Sequence, residues 1–371
     1  MADRIPLDSL HPKRICLIKP SAFGDIIQTL PVLGMLRARF PAAYIAWVAK
    51  APLAELLRGH PQLDDVIPLP YPHGLRAKIA AFRQTLGRLR KENFDLALDF
   101  QGLLRSGLMT WSTRAARRVG SSLSREFSHL AYTDRVDVGP WHQPALETFV
   151  PIARALGCTG PPPPAFVHVA VDAVVWSNAR LSRLPRPVLA VNPGAQWITK
   201  RWPAKSFAAL ARLAVRHHSA SIVIVGGPGE RELGMRVEQA IRSQKGDSAQ
   251  RADATIENLA GETSLPQLAA VCQYADVFLS GDSGPMHLAA ALKTPTVGIF
   301  TCTDEVRSGP RGDLPDQPHR CVSTKVACAA SYVTRCRKLD CMNELTPARV
   351  WPELDEMLRD VTSHGNSRIA G

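Results

Sequence analysis

Along most of the chain, short unbroken apolar runs alternate with longer segments whose apolar positions recur at helical spacing. Arg14-Ile15-Cys16-Leu17-Ile18-Lys19 reads as a buried strand, and residues 26–40 as the helix that follows it. Strands are expected over 44–48, 65–69 and 96–100, with a long helix over 79–92. Unbroken apolar runs suit strands covered on both faces, and their alternation with helices predicts a parallel sheet between two helical layers. The pattern pauses over 158–187, where four prolines, Pro161 to Pro164, favour stiff extended chain. It then resumes with strands at 188–191, 222–225, 277–279 and 297–300 and helices at 204–217, 230–242 and 265–272. A helix over 347–360 closes the pattern. The expectation is α/β throughout: a first domain over 1–170, a second over 186–345, and a C-terminal helix and tail over 346–371.

Ligands of such sheets bind beyond the carboxyl ends of the strands, so the loops there carry the candidate chemistry. In Lys19-Pro20-Ser21-Ala22-Phe23-Gly24-Asp25, the aspartate stands where strand gives way to helix. A carboxylate in that place either takes a proton from a hydroxyl nucleophile or caps the helix start. In the loop after 188–191, Thr199, Lys200 and Arg201 suit either a diphosphate or a solvated basic turn, and Trp202-Pro203 opens the next helix. Gly226-Gly227-Pro228-Gly229-Glu230-Arg231-Glu232 fails the dinucleotide spacing, because Glu232 stands where the last glycine belongs. Its Glu230 can instead accept hydrogen bonds from ribose or sugar hydroxyls. The junction Gly281-Asp282-Ser283-Gly284-Pro285 leaves helix N–H groups unpaired at the positive end of a helix dipole, which seats a phosphate. His287 lies one turn further on, placed either to pack in the core or to serve that seat.

Composition adds limits. The first fourteen residues lack the apolar core of a signal peptide, and no stretch approaches the ~20 apolar residues of a membrane span. A cytoplasmic location is expected, with the eight cysteines reduced. The net charge of +12 is uneven: residues 76–135 hold twelve Lys/Arg against five Asp/Glu. Such a surface attracts nucleic acid, anionic lipid or an anionic substrate, and the lack of a nucleic-acid motif sets the first aside. Cys321, Cys328, Cys336 and Cys341 are too widely spaced for zinc pairs, so neither a metal nor a cofactor is expected. There is no Gly-x-Ser-x-Gly elbow and no Walker A sequence.

Taken in order, these loops resemble glycosyltransferase family 9, the ADP-heptose:lipopolysaccharide heptosyltransferases. The resemblance rests on residues 19–31, Asp99-Phe100-Gln101-Gly102-Leu103, Asn192-Pro193-Gly194, Lys200-Arg201-Trp202-Pro203 and Gly226-Gly227-Pro228 before Glu230. It continues through Asn258-Leu259-Ala260-Gly261, residues 281–287, Gly309-Pro310 and Cys341-Met342-Asn343 before Thr346-Pro347, and spans roughly 14–355. It implies two Rossmann-like domains facing a cleft, the GT-B architecture, with acceptor bound by the first and nucleotide-sugar by the second. It also implies an inverting transfer of heptose from ADP-heptose to the lipopolysaccharide inner core, onto Kdo or heptose. Asp25 is then the base and Lys200 the phosphate contact beside Thr199. Glu230 meets the ribose or sugar, and Asp282, Ser283, Gly284 and His287 form the diphosphate seat. Candidate acceptor contacts are Ser21, Gln101, Arg105, Arg117, Arg118 and Arg125, with peripheral contact at the cytoplasmic face of the inner membrane. The alternatives are a related transferase with another donor or acceptor, and a nucleotide-sugar epimerase of GT-B-like fold. Two positions depart from the family: Gln28 stands where histidine is frequent, and Thr301 where glycine is usual.

Overall fold

The computed structural model describes residues 5–243, 255–310 and 319–363; the end of the expected tail, beyond residue 363, lies outside them. Contacts divide the chain into two units between His168 and Val169.

Unit one runs β1 (Arg14–Ile18), α1 (Phe23–Arg39), β2 (Tyr44–Lys50), α2 (Ala51–Leu57), β3 (Asp65–Leu69), α3 (Leu75–Lys91), β4 (Leu96–Asp99), α4 (Leu104–Ser112), β5 (Arg117–Ser121), β6 (Asp134–Val136) and α5 (Ala145–Ala155). Its strands pair in the order β3-β2-β1-β4-β5-β6, all parallel. The winding therefore reverses between β1 and β4. Burial of both faces of β1, β2 and β4 explains their unbroken apolar runs. Cys16, Ile18, Ala46, Val48, Ala97 and Met109 pack in one core cluster.

Unit two runs α6 (Val171–Leu181), β7 (Val188–Asn192), α7 (Ala204–His218), β8 (Ser221–Ile224), α8 (Arg231–Arg242), β9 (Ile256–Asn258), α9 (Leu265–Tyr274), β10 (Val277–Gly281), α10 (Gly284–Ala291), β11 (Thr296–Phe300), α11 (Glu305–Ser308), β12 (His319–Ser323), α12 (Asp340–Glu344) and α13 (Pro347–Ser363). Its sheet has the order β12-β11-β10-β7-β8-β9, again all parallel, so the winding reverses between β7 and β10. Both orders are that of a doubly wound nucleotide-binding sheet. α13 is part of this unit's core, where Val350, Leu354, Met357 and Leu358 join Leu189, Leu279 and Ile299. Among the described residues, no helix is long and apolar enough to cross a membrane.

One buried carboxyl shapes the loop after β4. Asp99 is fully buried and accepts from the Gln101 N–H at 2.8 Å, the Gly102 N–H at 3.0 Å and the Tyr132 hydroxyl at 2.8 Å. Burial pushes its carboxyl above the usual range, and these donors oppose that shift. Gly102, at φ +67, makes the turn, and Gly120 lets the Tyr132 ring lie where a Cβ would otherwise stand. Asp99→Ala strands the two amide donors and the Tyr132 hydroxyl, so it should destabilise unit one by about 2–5 kcal/mol, read by denaturant titration.

His60 supplies a pH-dependent element. Its ring Nε2 lies 3.0 Å from the Phe166 carbonyl, and burial holds the imidazole below the ordinary histidine range. As pH falls through that range the unfolded chain binds a proton before the folded one, so stability is present above it and lost below. Thermal midpoints at about pH 7.5 and about pH 5.5 should differ by less in His60→Leu than in the parent.

Candidate active site

At the reversal point of unit one, the chain leaves β1 towards α1 and leaves β4 towards α4, opening a crevice at the carboxyl edge. Lys19 follows β1 directly and is 3% exposed in its side chain. Its Nζ donates to Asp25 Oδ2 at 2.8 Å and to Gln101 Oε1 at 3.4 Å, and lies 5.4 Å from the centre of the Phe149 ring. The indole N–H of Trp47 donates to the Lys19 carbonyl at 3.2 Å, fixing the backbone from which the ammonium reaches up. Asp25 is the third residue of α1, not its N-cap, which is Ala22. Its carboxylate accepts from the Ala22 N–H at 3.4 Å and stays 41% exposed. Asp25 therefore stabilises the helix start and keeps one edge of its carboxylate open to solvent. Ser21 sits partly exposed in the same loop.

Unit two repeats the arrangement at its own reversal point. The Lys200 Nζ donates to Asp282 Oδ2 at 2.6 Å and lies 4.4 Å from the Trp197 ring centre. Lys200 ends the short turn Ile198–Lys200, which is anchored behind by Trp202: its indole N–H donates to the Leu345 carbonyl at 2.8 Å, and its ring packs edge-on against Phe207. The Thr301 hydroxyl donates to the Thr199 carbonyl at 2.5 Å. A glycine at 301 has no group to make that bond, so the departure from the family ties the Lys200 turn to β11. Gly281 is needed where β10 passes the turn, since a Cβ there would stand 2.9 Å from the Lys200 carbonyl oxygen.

Asn192, the last residue of β7, joins β7 to β10. Its Nδ2 donates to the Gly194 carbonyl at 3.1 Å and to the Ser280 and Ser283 hydroxyls at 3.0 Å each. Ser283 is the N-cap of α10, yet its hydroxyl turns to Asn192 and Ser280 and does not cap the helix. Pro285 brings no N–H, so Gly284 and the residues after Pro285 present the helix's positive end with no side chain capping it. Asn192 Oδ1 and Thr199 Oγ1 are buried without a hydrogen-bond partner among the described residues. Each such atom costs roughly 1–3 kcal/mol until a ligand or water meets it. His287 is buried within the first turns of α10. Glu230 lies beyond β8 and accepts from the Gly227 N–H at 2.7 Å, with its carboxylate filling the space a Cβ on Gly194 would occupy.

The two lysine–carboxylate pairs differ in which partner faces solvent. In the first the lysine is sealed and the aspartate open; in the second Asp282, 6% exposed, lies deeper than Lys200 at 17%. The open partner is the one a substrate can meet. Lys19 was present in the sequence motif but carried no role there, because only the fold turns it towards Asp25.

The basic candidates separate. Arg117 and Arg118 pair with Leu96 and Ala97, at the amino ends of β5 and β4, whereas Asp25 and Gln101 lie at the carboxyl edge. Arg117 is held by Asp134 and the Ile5 carbonyl, and Arg118 by the Ala131 and Ala115 carbonyls. The structure does not bring these two to the Asp25 loop. Arg105, on the first turn of α4, and Arg125, whose N–H donates to the Gly102 carbonyl, are exposed and follow the Gln101 loop.

Comparisons with known proteins bear on the family and the fold. Residues 81–340 match glycosyltransferase family 9 (heptosyltransferase). The chain is 25% identical to the lipopolysaccharide core heptosyltransferase OpsX of Haemophilus influenzae, covering 84% of this chain and 85% of that one. It is 29% identical to lipopolysaccharide heptosyltransferase 1 of Pseudomonas aeruginosa, over 93% and 98% of the two chains. The solved structure of E. coli ADP-heptose lipopolysaccharide heptosyltransferase II superposes with a TM-score of 0.74 at 23% identity, over 94% of this chain and 99% of that one. A family 9 glycosyltransferase from Veillonella parvula gives 0.77 at 19% identity, over 96% and 99%. The fold is thus the GT-B class of paired Rossmann-like units, and with more than half its length matched, the chain belongs to glycosyltransferase family 9, the heptosyltransferases.

Proposed function

We propose that this enzyme transfers heptose from ADP-heptose to a sugar of the lipopolysaccharide inner core, with inversion at the anomeric carbon. The observation that carries the reading is the Lys200–Asp282 pair beside the uncapped start of α10, with two orphaned polar atoms in the same layer. Such a cluster suits a diphosphate: the helix N–H groups and the Lys200 ammonium meet its oxygens, and Thr199 Oγ1 gains a partner. Asp282 is better read as the counter-charge that aims Lys200 than as a phosphate contact, since its own charge repels the ligand. Glu230 serves the ribose or sugar hydroxyls. The names of the relatives supply the sugar and the acceptor class.

The chemistry follows from these groups. An acceptor hydroxyl attacks the anomeric carbon as its bond to ADP breaks, and Asp25 takes the hydroxyl proton as the new bond forms. The charge growing on the departing diphosphate is met by donors already in place at Lys200 and α10, which need not reorganise. Lys19 is a positioning residue: sealed below Asp25, it holds the carboxylate in place through its 2.8 Å contact. Gln101, Ser21, Arg105 and Arg125 are the acceptor-side candidates that follow the same loops. A lipid-borne acceptor calls for peripheral contact with the cytoplasmic face of the inner membrane.

Purified protein supplied with ADP-heptose and a heptose-deficient core should add one heptose by mass spectrometry, and other nucleotide-sugars should not replace the donor. Release of a free altered sugar without acceptor would instead make the enzyme an epimerase. Asp25→Asn should lower kcat by about 10²–10⁴-fold while ADP still binds. Lys200→Ala should lower kcat by about 10²–10³-fold and weaken ADP as well.

Lys19→Met should lower kcat by about tenfold or more yet add almost no further loss in an Asp25→Asn background, because coupled residues are not additive. An additive loss in that double variant would assign Lys19 a structural role only. Gly194→Ala displaces the flexible end of Glu230, so it should weaken donor binding several-fold while leaving the thermal midpoint nearly unchanged, measured by calorimetry.

A further inference from the structure

The sheet register of unit two sets Asn192 directly beside Ser280, at the carboxyl ends of β7 and β10. Asn192 is 1% exposed and Ser280 is fully buried, so their polar groups have to find partners inside the protein. The Gly194 carbonyl can only accept, and it lies 3.1 Å from one end of the Asn192 amide, which makes that end the nitrogen. The same Nδ2 lies 3.0 Å from the hydroxyls of both Ser280 and Ser283. The Ser280 hydroxyl donates to the Gly281 carbonyl at 2.8 Å, so Ser283 supplies the proton in the 2.8 Å contact between the two serines. A directed chain results, from Asn192 to Ser283, from Ser283 to Ser280 and from Ser280 to Gly281. It holds the Ser283 hydroxyl by its proton and by a lone pair at once.

That orientation competes with another. Ser283 is the N-cap of α10 and has the extended backbone of that position, from which a serine ordinarily turns its oxygen to the N–H two or three residues on. Pro285 has no N–H, so a capping Ser283 would take the N–H of Met286. The helix start is held against β11, because Met286 packs where a Cβ on Gly298 would stand 2.9 Å from its sulfur. The rotamer of Ser283 therefore decides whether α10 begins capped or open. In the structure it begins open, with the serine turned to Asn192 and Ser280.

We propose that Asn192 is a positioning residue for the donor: it holds the Ser283 hydroxyl off the start of α10 and so keeps that helix end open to the diphosphate. This role rests on the diphosphate reading of the same site. Asn192 acts through Ser283 and not on the phosphate itself. Its unpartnered atom among the described residues is Oδ1, an acceptor that would face phosphate oxygens with no proton between them. A serine cap is worth enough to matter, since its usual contribution corresponds to about tenfold in a binding constant. A diphosphate that had to displace the cap would lose that factor. With Asn192 in place the helix forgoes its own cap, and the ligand meets N–H groups that no side chain has taken.

The test is calorimetric titration of the full chain with ADP and, separately, with inorganic pyrophosphate. Asn192→Ala should weaken both by about tenfold, as Ser283 turns to cap α10. Ser283→Ala should cost about threefold or less, because it leaves the helix end open. Asn192→Ala combined with Ser283→Ala should bind about as Ser283→Ala does, so that removing a second polar group restores affinity. A site that Asn192→Ala had merely distorted would show no such rescue. The donor KM should follow these dissociation constants while the acceptor KM stays at the parent value. Equal binding by Asn192→Ala and the parent would overturn the proposal. So would a double variant as weak as Asn192→Ala, or an acceptor KM that rises together with the donor KM. A parent that binds pyrophosphate but not ADP would count against the ADP-sugar reading alone, with the Asn192 series still measured on pyrophosphate. A parent that binds neither would remove the diphosphate seat and the role of Asn192 together.

Discussion

A parallel sheet wound outward from its middle sends two neighbouring strands to helices on opposite faces, and the loops between them part at the carboxyl edge. Every functional assignment in this chain depends on that constraint, met twice. β1 and β4 part around Lys19, Asp25 and Gln101; β7 and β10 part around Asn192, Lys200 and Asp282. Because the strands beneath are sealed on both faces, the loops start from fixed points, and short side-chain contacts can hold charges in place.

At each edge a lysine and an aspartate share a proton-rich contact, but the fold buries opposite members. Sealing Lys19 under Asp25 leaves an open carboxylate, which suits accepting a proton from an alcohol. Burying Asp282 more deeply than Lys200 leaves the ammonium as the more exposed partner, which suits meeting negative charge on a leaving diphosphate. A buried partner is costly to strand, so each pair resists rearrangement and keeps its more exposed member in place. Around the second pair, Trp202, Thr301 and Gly281 serve the same end by holding the Lys200 turn from behind, above and below.

The legible parts of the sequence were those whose physics is local. β1, β2, β4, β7, β10 and β11 are buried on both faces and read as plain apolar runs. β5, β6 and β12 escaped because they open on or contain Arg117-Arg118, Asp134-Arg135 and His319-Arg320, polar residues that suit strands near a sheet margin. α4 escaped for the opposite reason: its apolar stripe faces outward, so a search for a core-facing stripe passes over it.

By itself, then, the sequence determined the α/β class and the family, because strand burial, turn glycines and motif order are written within a few neighbouring residues. Only the tertiary structure decided that Lys19 lies under Asp25, that Asp282 pairs with Lys200, and that Arg117 and Arg118 lie at the opposite end of the sheet from the Asp25 loop. Those outcomes depend on residues separated by as many as 82 positions in the chain. Strand order and burial bring them together, and neither can be read from local spacing.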